Sequence, residues 1–156
     1  MDLGSTAPAP AAYPFEVPAA FSTWDTDTLT PRFQLLRKVG RGAYGEVALA
    51  LDHSTTPPRQ VAIKRVFRVF GYGVALEHSR RILREVRILR SLRHDNVVSL
   101  LHVCAPRHAE YTELYLVFEK LDSDLKDLFS REDASLSLYH VRGRARGPGL
   151  PRCAPP

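Results

Sequence analysis

Gly40-Arg41-Gly42-Ala43-Tyr44-Gly45 places three glycines where a backbone can approach a phosphate closely, because no Cβ stands in the way. The ligand of such a turn depends on the element it opens. Glycines that open a helix present its N-terminus to a pyrophosphate, as in dinucleotide sites. Here they open Glu46 to Asp52, where Val47, Leu49 and Leu51 alternate with smaller or polar neighbours, the pattern of a strand. Strand, glycine turn and strand make a flap of N–H groups rather than a helix cap. Lys64 closes the apolar run Val61-Ala62-Ile63, so its ammonium either snorkels outward or meets an anion. Glu85 stands three residues after Ile82 and four before Leu89 and shares their helix face, where a carboxylate needs a cation. Lys64 is one candidate; Arg81 and Arg84 on the same helix are others. Taken singly, each feature also fits a plain hairpin turn, an edge lysine or a surface glutamate.

These side chains depend on the elements that carry them. Phe33 to Lys38, Glu46 to Asp52 and Gln60 to Val66 read as strands, with a turn from His53 to Arg59 around Thr-Thr-Pro-Pro. Leu76 to Leu92 reads as the one long helix, with Ile82, Val86 and Leu89 on its inner face. Val97 to Cys104 and Glu113 to Phe118 supply two further strands, and Ser123 can cap a short helix beginning at Asp124. The expected fold class is α+β, a five-stranded antiparallel sheet with one main helix. Residues 1–31, with five prolines among many alanines, read as a disordered leader. Residues 141–156, dominated by Arg, Gly and Pro, read as a disordered tail.

Composition narrows the class. The 156 residues are 44% hydrophobic and 25% charged, which is globular. No apolar run is long enough to span a membrane, and no basic-then-apolar secretory leader is present. Two distant cysteines, Cys104 and Cys153, make neither a disulfide framework nor a zinc spacing, so a reducing interior, cytoplasmic or nuclear, is the expectation. The net charge of +5 is uneven: residues 1–30 hold four acids and no Lys or Arg, whereas 141–156 hold four arginines and no acid. Diffuse arginine without interleaved exposed aromatics is a weak nucleic-acid signal.

Together, the glycine loop with its following valine, the Val-Ala-Ile-Lys lysine and the helix glutamate, in that order, resemble the small lobe of a eukaryotic Ser/Thr protein kinase. Leu83-Arg84-Glu85-Val86-Arg87-Ile88-Leu89, Arg93-His94-Asp95-Asn96-Val97-Val98 and Leu114-Tyr115-Leu116-Val117-Phe118-Glu119 are similar to the group that contains mitogen-activated and cyclin-dependent kinases. The resemblance covers residues 32–140, a partial kinase domain. It implies that Val39, Gly40, Gly42, Ala43, Tyr44, Gly45 and Val47 cover ATP, and that Lys64 holds phosphates while pairing with Glu85. It further implies that Val47 and Ala62 pack on adenine and that Phe118 stands behind it. Glu119 and Leu121 would bond adenine through their backbone, and Asp124 would reach the ribose. The 21-residue interval from Lys64 to Glu85 exceeds what the group usually shows, the extra length falling within Phe67 to Val74.

The family's chemistry also needs an HRD-type aspartate as base and a DFG-type aspartate for magnesium, and this sequence contains neither. His94-Asp95-Asn96 falls between helix and strand, the wrong place for that loop. No catalytic or metal-ligating residue is therefore assigned. The expected function is an ATP-binding lobe without catalysis of its own, its partners being ATP and a protein docked on Leu76–Leu92 or on the exposed lobe interface. A non-catalytic interaction module is the alternative, and a basic nucleic-acid-binding chain the less favoured third.

Overall fold

The computed structural model describes residues 14–29, 32–71, 73–74, 76–104, 106–107 and 111–122. The helix expected from Asp124, and the tail 141–156, lie outside the described residues. Strands β1 (Phe33–Gly42), β2 (Gly45–Asp52) and β3 (Arg59–Val66) precede helix α2 (Leu76–Ser91), which leads to β4 (Leu100–Cys104) and β5 (Leu114–Glu119). A single-turn helix, α1 (Thr26–Leu29), and a 3-10 turn, Ala19–Phe21, stand before them. The five strands form one sheet in the order β1-β2-β3-β5-β4, antiparallel throughout. The element order matches the sequence expectation, with the first two strands meeting at a tight turn through Ala43 and Tyr44.

Strand periodicity sorts the side chains onto two faces. On the inner face Val66, Leu116, Val103 and Phe118 meet Val69 and the helix residues Ile82 and Val86. The outer face carries Phe33, Leu35, Ala48, Ala50, Val61, Ile63, Tyr115 and Val117, all buried. One helix cannot cover both sides. The outer face is covered by the segment before β1: Phe21, Trp24 and Leu29 are 0%, 5% and 1% exposed.

This corrects the expected leader over residues 14–29. Prolines 14 and 18 do prevent a long helix, but one 3-10 turn and one α turn suffice to deliver three large apolar side chains. Phe21 meets Trp24 edge-on at 5.1 Å, and Trp24 lies against Tyr115 at 5.5 Å. Asp25 caps α1, its Oδ1 accepting the Thr28 amide at 3.1 Å. The scattered apolar content read as a sign of disorder is the cover of a sheet face.

Candidate functional site

Three neighbouring strands build the inner wall. Gly40 is opposite Val47, and Val47 is opposite Lys64, so flap, apolar side chain and ammonium fall in one row across the sheet. Ala62 lies on the same face, opposite Leu49 on one side and Phe118 on the other. The row therefore places the glycine turn, the apolar side chains of Val47 and Ala62, and the Lys64 ammonium on one face. Gly45 is required by space: a Cβ there would lie 2.0 Å from the Arg65 carbonyl oxygen. At Gly40 and Gly42 a Cβ would meet nothing within 4 Å, so the fold leaves open room at the flap. Val39 and Tyr44 are exposed, and Tyr44 stacks near His78 on α2 at 6.1 Å.

Lys64 Nζ donates to Glu85 Oε1 at 2.9 Å. The pair joins β3 to α2 despite the long interval between them. That interval is held down: the Val69 amide donates to the Thr112 carbonyl at 2.8 Å, and the Ser79 hydroxyl donates to the Val69 carbonyl at 2.6 Å. Gly71 and Gly73 take positive φ within it, as does Arg68 at 50°. The setting of the pair differs from the sequence expectation. Glu85 does not share the buried stripe; its side chain is 47% exposed and that of Lys64 is 32% exposed. Helix α2 rests on the sheet through Ile82 and Val86, and Glu85 sits at the edge of that contact.

The last strand leads to the residues expected to bond adenine. Glu119 closes β5, its amide donating to the Ser99 carbonyl at 3.2 Å and its carboxylate accepting the Ser99 amide at 2.7 Å. The N–H of Glu119 is thus committed within the sheet. Leu121 is half exposed just beyond. Asp124 lies outside the described residues.

The sequence reading missed the polar groups of the outer face. Glu46 is 4% exposed and accepts the Trp24 indole N–H at 3.0 Å and Lys38 Nζ at 3.1 Å. Burial alone would raise its carboxyl; these hydrogen bonds, with the charges of Lys38 and Arg41, outweigh it and hold the group below the ordinary range. Arg65 donates through Nε to Glu113 Oε2 at 2.8 Å and through Nη1 to Thr23 Oγ1 at 3.0 Å. Asp52, fully buried, accepts Arg32 at 2.8 and 2.9 Å and Arg59 at 3.3 Å. Their signal was strict alternation: Glu46 and Asp52 share parity with Ala48 and Ala50, which marks them as pointing into the outer core. A broad recess opens here, lined by Lys38, Arg41, Tyr44, Arg65, Arg68 and Glu113. The recess continues round the flap tip to His78 of α2, and Lys64 is not among the residues that line it.

No group of three or more His, Cys, Asp or Glu suited to a metal ion occurs among the described residues. Nor is any described helix long and apolar enough to cross a membrane.

Residues 33–144 match the protein kinase domain family. Mitogen-activated protein kinase 8 of Arabidopsis thaliana is 40% identical over 103 residues, which is 65% of this chain and 17% of that protein. Mitogen-activated protein kinase 14 of the same plant is 35% identical over 124 residues, 78% of this chain and 33% of its own length. Mitogen-activated protein kinase 16 of Oryza sativa subsp. japonica is 36% identical over 110 residues, 70% of this chain and 21% of its own. The chain thus spans between 17% and 33% of the length of these curated relatives.

Proposed function

The chain belongs to the protein kinase domain family, and from that premise we propose that its inner wall holds ATP for transfer of the γ-phosphate to protein Ser or Thr. The carrying observation is the row Gly40–Val47–Lys64 with Lys64 donating to Glu85 at 2.9 Å. Glu85 holds the ammonium extended beneath the flap, where it can neutralise α- and β-phosphate charge. Val47 and Ala62 offer apolar surface to the adenine, Phe118 ends the pocket behind it, and Leu121 presents its backbone at the rim. Gly40, Gly42, Ala43 and Gly45 bring the flap's backbone close to the phosphates. These residues bind and orient; none is a base or a magnesium ligand.

The relatives are mitogen-activated kinases, which supports a Ser/Thr-directed reaction of that kind. The 156 residues contain no HRD- or DFG-type segment, so the function assigned to them is nucleotide binding without phosphotransfer of their own. Magnesium belongs to the family reaction but has no fitting donor set among the described residues. The described residues supply one wall for adenine, and weak affinity is the expectation for them. A protein partner for the exposed side of α2 (Leu76, Leu83 and Ile88 are 64%, 51% and 48% exposed) is part of the same reading. We place the protein in a reducing compartment, cytoplasm or nucleus.

The test is titration of the whole chain with ATP, with and without magnesium, beside Lys64→Met. Weak, saturable binding that the substitution removes supports the reading. Binding unaffected by Lys64→Met removes its basis, and phosphotransfer abolished by that substitution replaces it with a catalytic one.

A further inference from the structure

Glu46 lies between Gly45 and Val47, inside the flap, yet its side chain points away from the nucleotide wall and is 4% exposed. A buried carboxylate must be met by donors, and the donors here come from separate segments. Trp24 Nε1 reaches it from the cover before β1 at 3.0 Å, and Lys38 reaches it from β1 at 3.1 Å. Arg65 of β3 and Arg41 of the flap stand 3.6 and 3.7 Å away. The cover is anchored a second time around Arg65. That guanidinium donates to Thr23, bonds Glu113, and lies over the rings of Trp24 and Phe67 at 5.8 and 5.1 Å. The Asp25 amide donates to the Tyr115 hydroxyl at 2.8 Å, and that hydroxyl donates to Glu113 at 3.1 Å.

The tip of the flap has little comparable support. Arg41, Gly42, Ala43 and Tyr44 are all exposed, and β1 is irregular between Lys38 and Gly40. We propose that Trp24, through Glu46, is a positioning residue for the glycine flap, so that residues 14–29 form a strap setting the flap's height over the nucleotide phosphates. This rests on the nucleotide reading above. Without the indole donor, Glu46 is drawn toward Lys38 and Arg41, and the adjoining Gly45 and Val47 move with it. The flap then samples more open positions. Phosphate contacts weaken most, while adenine, which Ala62 and Phe118 hold as well as Val47, feels less of the change.

That asymmetry separates positioning from general loosening. Trp24→Phe keeps a ring against Phe21 and Tyr115 but removes the N–H. In the full chain, amide hydrogen exchange over residues 40–47 is expected to speed about tenfold, the worth of one hydrogen bond to a buried charge. Exchange in β4 and β5 is expected to stay unchanged. ATP affinity is expected to fall about fivefold, and adenosine affinity by less than about twofold. Unchanged exchange at 40–47, uniform acceleration across the sheet, or equal losses for ATP and adenosine would overturn the proposal. Should Trp24→Phe not fold, Glu46→Gln is judged by the same exchange comparison. If the unmodified chain binds neither ligand, the nucleotide reading fails, and the exchange comparison still decides whether the strap holds the flap.

Discussion

Lys64 and Asp52 each form an ion pair, and their surroundings make the two pairs do different things. Lys64 and Glu85 are 32% and 47% exposed, so water competes for both and the pair adds little to stability. Lys64→Met is expected to shift unfolding by less than about 1 kcal/mol in urea melts while removing ATP binding. Asp52 is 0% exposed and meets two arginines and the Ser54 amide at 3.0 Å. Hydrogen bonding from Arg32 holds its carboxyl well below the usual range. Asp52→Asn should cost about 2 kcal/mol, since Arg32 is partly exposed and can recover some hydration. The same groups set the pH response. Asp52 and Glu46 are depressed in the folded chain, so the unfolded chain binds more protons as acid is added. Partial desolvation and the Arg32 charge also lower His102, but its side chain is exposed and water screens the effect. Stability is therefore full above about pH 5 and falls on acidification, most steeply below about pH 4. Urea melts between pH 3 and 8 check this; Asp52→Asn should flatten the steep acid limb, and a stability maximum below pH 5 would contradict the assignment.

At the level of elements, the hairpin that carries the flap divides its glycines into two kinds. Gly45 lies against the β3 backbone, where a Cβ would stand 2.0 Å from the Arg65 carbonyl oxygen. Gly45→Ala must therefore push β2 from β3, at about 2–3 kcal/mol. Gly42 has open space, so Gly42→Ala should leave stability within about 0.5 kcal/mol. Thermal melts of the two variants separate a glycine kept for strand packing from one that packing does not require. Helix α2 shows a related division. Ile82 and Val86 face the sheet, whereas Leu76, Leu83 and Ile88 remain exposed. The helix is thus fastened at one stripe and by the Lys64–Glu85 bridge.

Across the whole molecule, a single sheet with two apolar faces needs two covers. Strands β3 and β5 place buried residues on both sides, Ile63 and Tyr115 outward, Val66 and Leu116 inward. Helix α2 closes one side and residues 14–29 the other. Removing residues 1–29 should expose Phe33, Leu35, Val61, Ile63 and Val117 and leave Glu46 and Arg65 without Trp24 and Thr23. Loss of a cooperative melt, with binding of an apolar dye, is the expected result. A shortened chain that melts as sharply as the full one would show that the cover is dispensable.

Much of the architecture was legible in the residue order. Alternation in Val47 to Leu51, the glycine turn before it, and the 3.6-residue repeat of Ile82, Val86 and Leu89 are local patterns that fix element type. The meeting of Lys64 with Glu85 came from placing each on its element, although the depth at which they meet did not. What escaped were facts about faces. That Phe21, Trp24 and Leu29 close the outer sheet, and that Glu46 and Asp52 are buried there, depends on strands far apart in the chain combining into one surface that must be shielded from water. Sequence determined which elements form and which chemical groups they carry. Tertiary structure decided which of those groups water reaches, because burial is set by everything packed around a side chain and not by its neighbours in the chain.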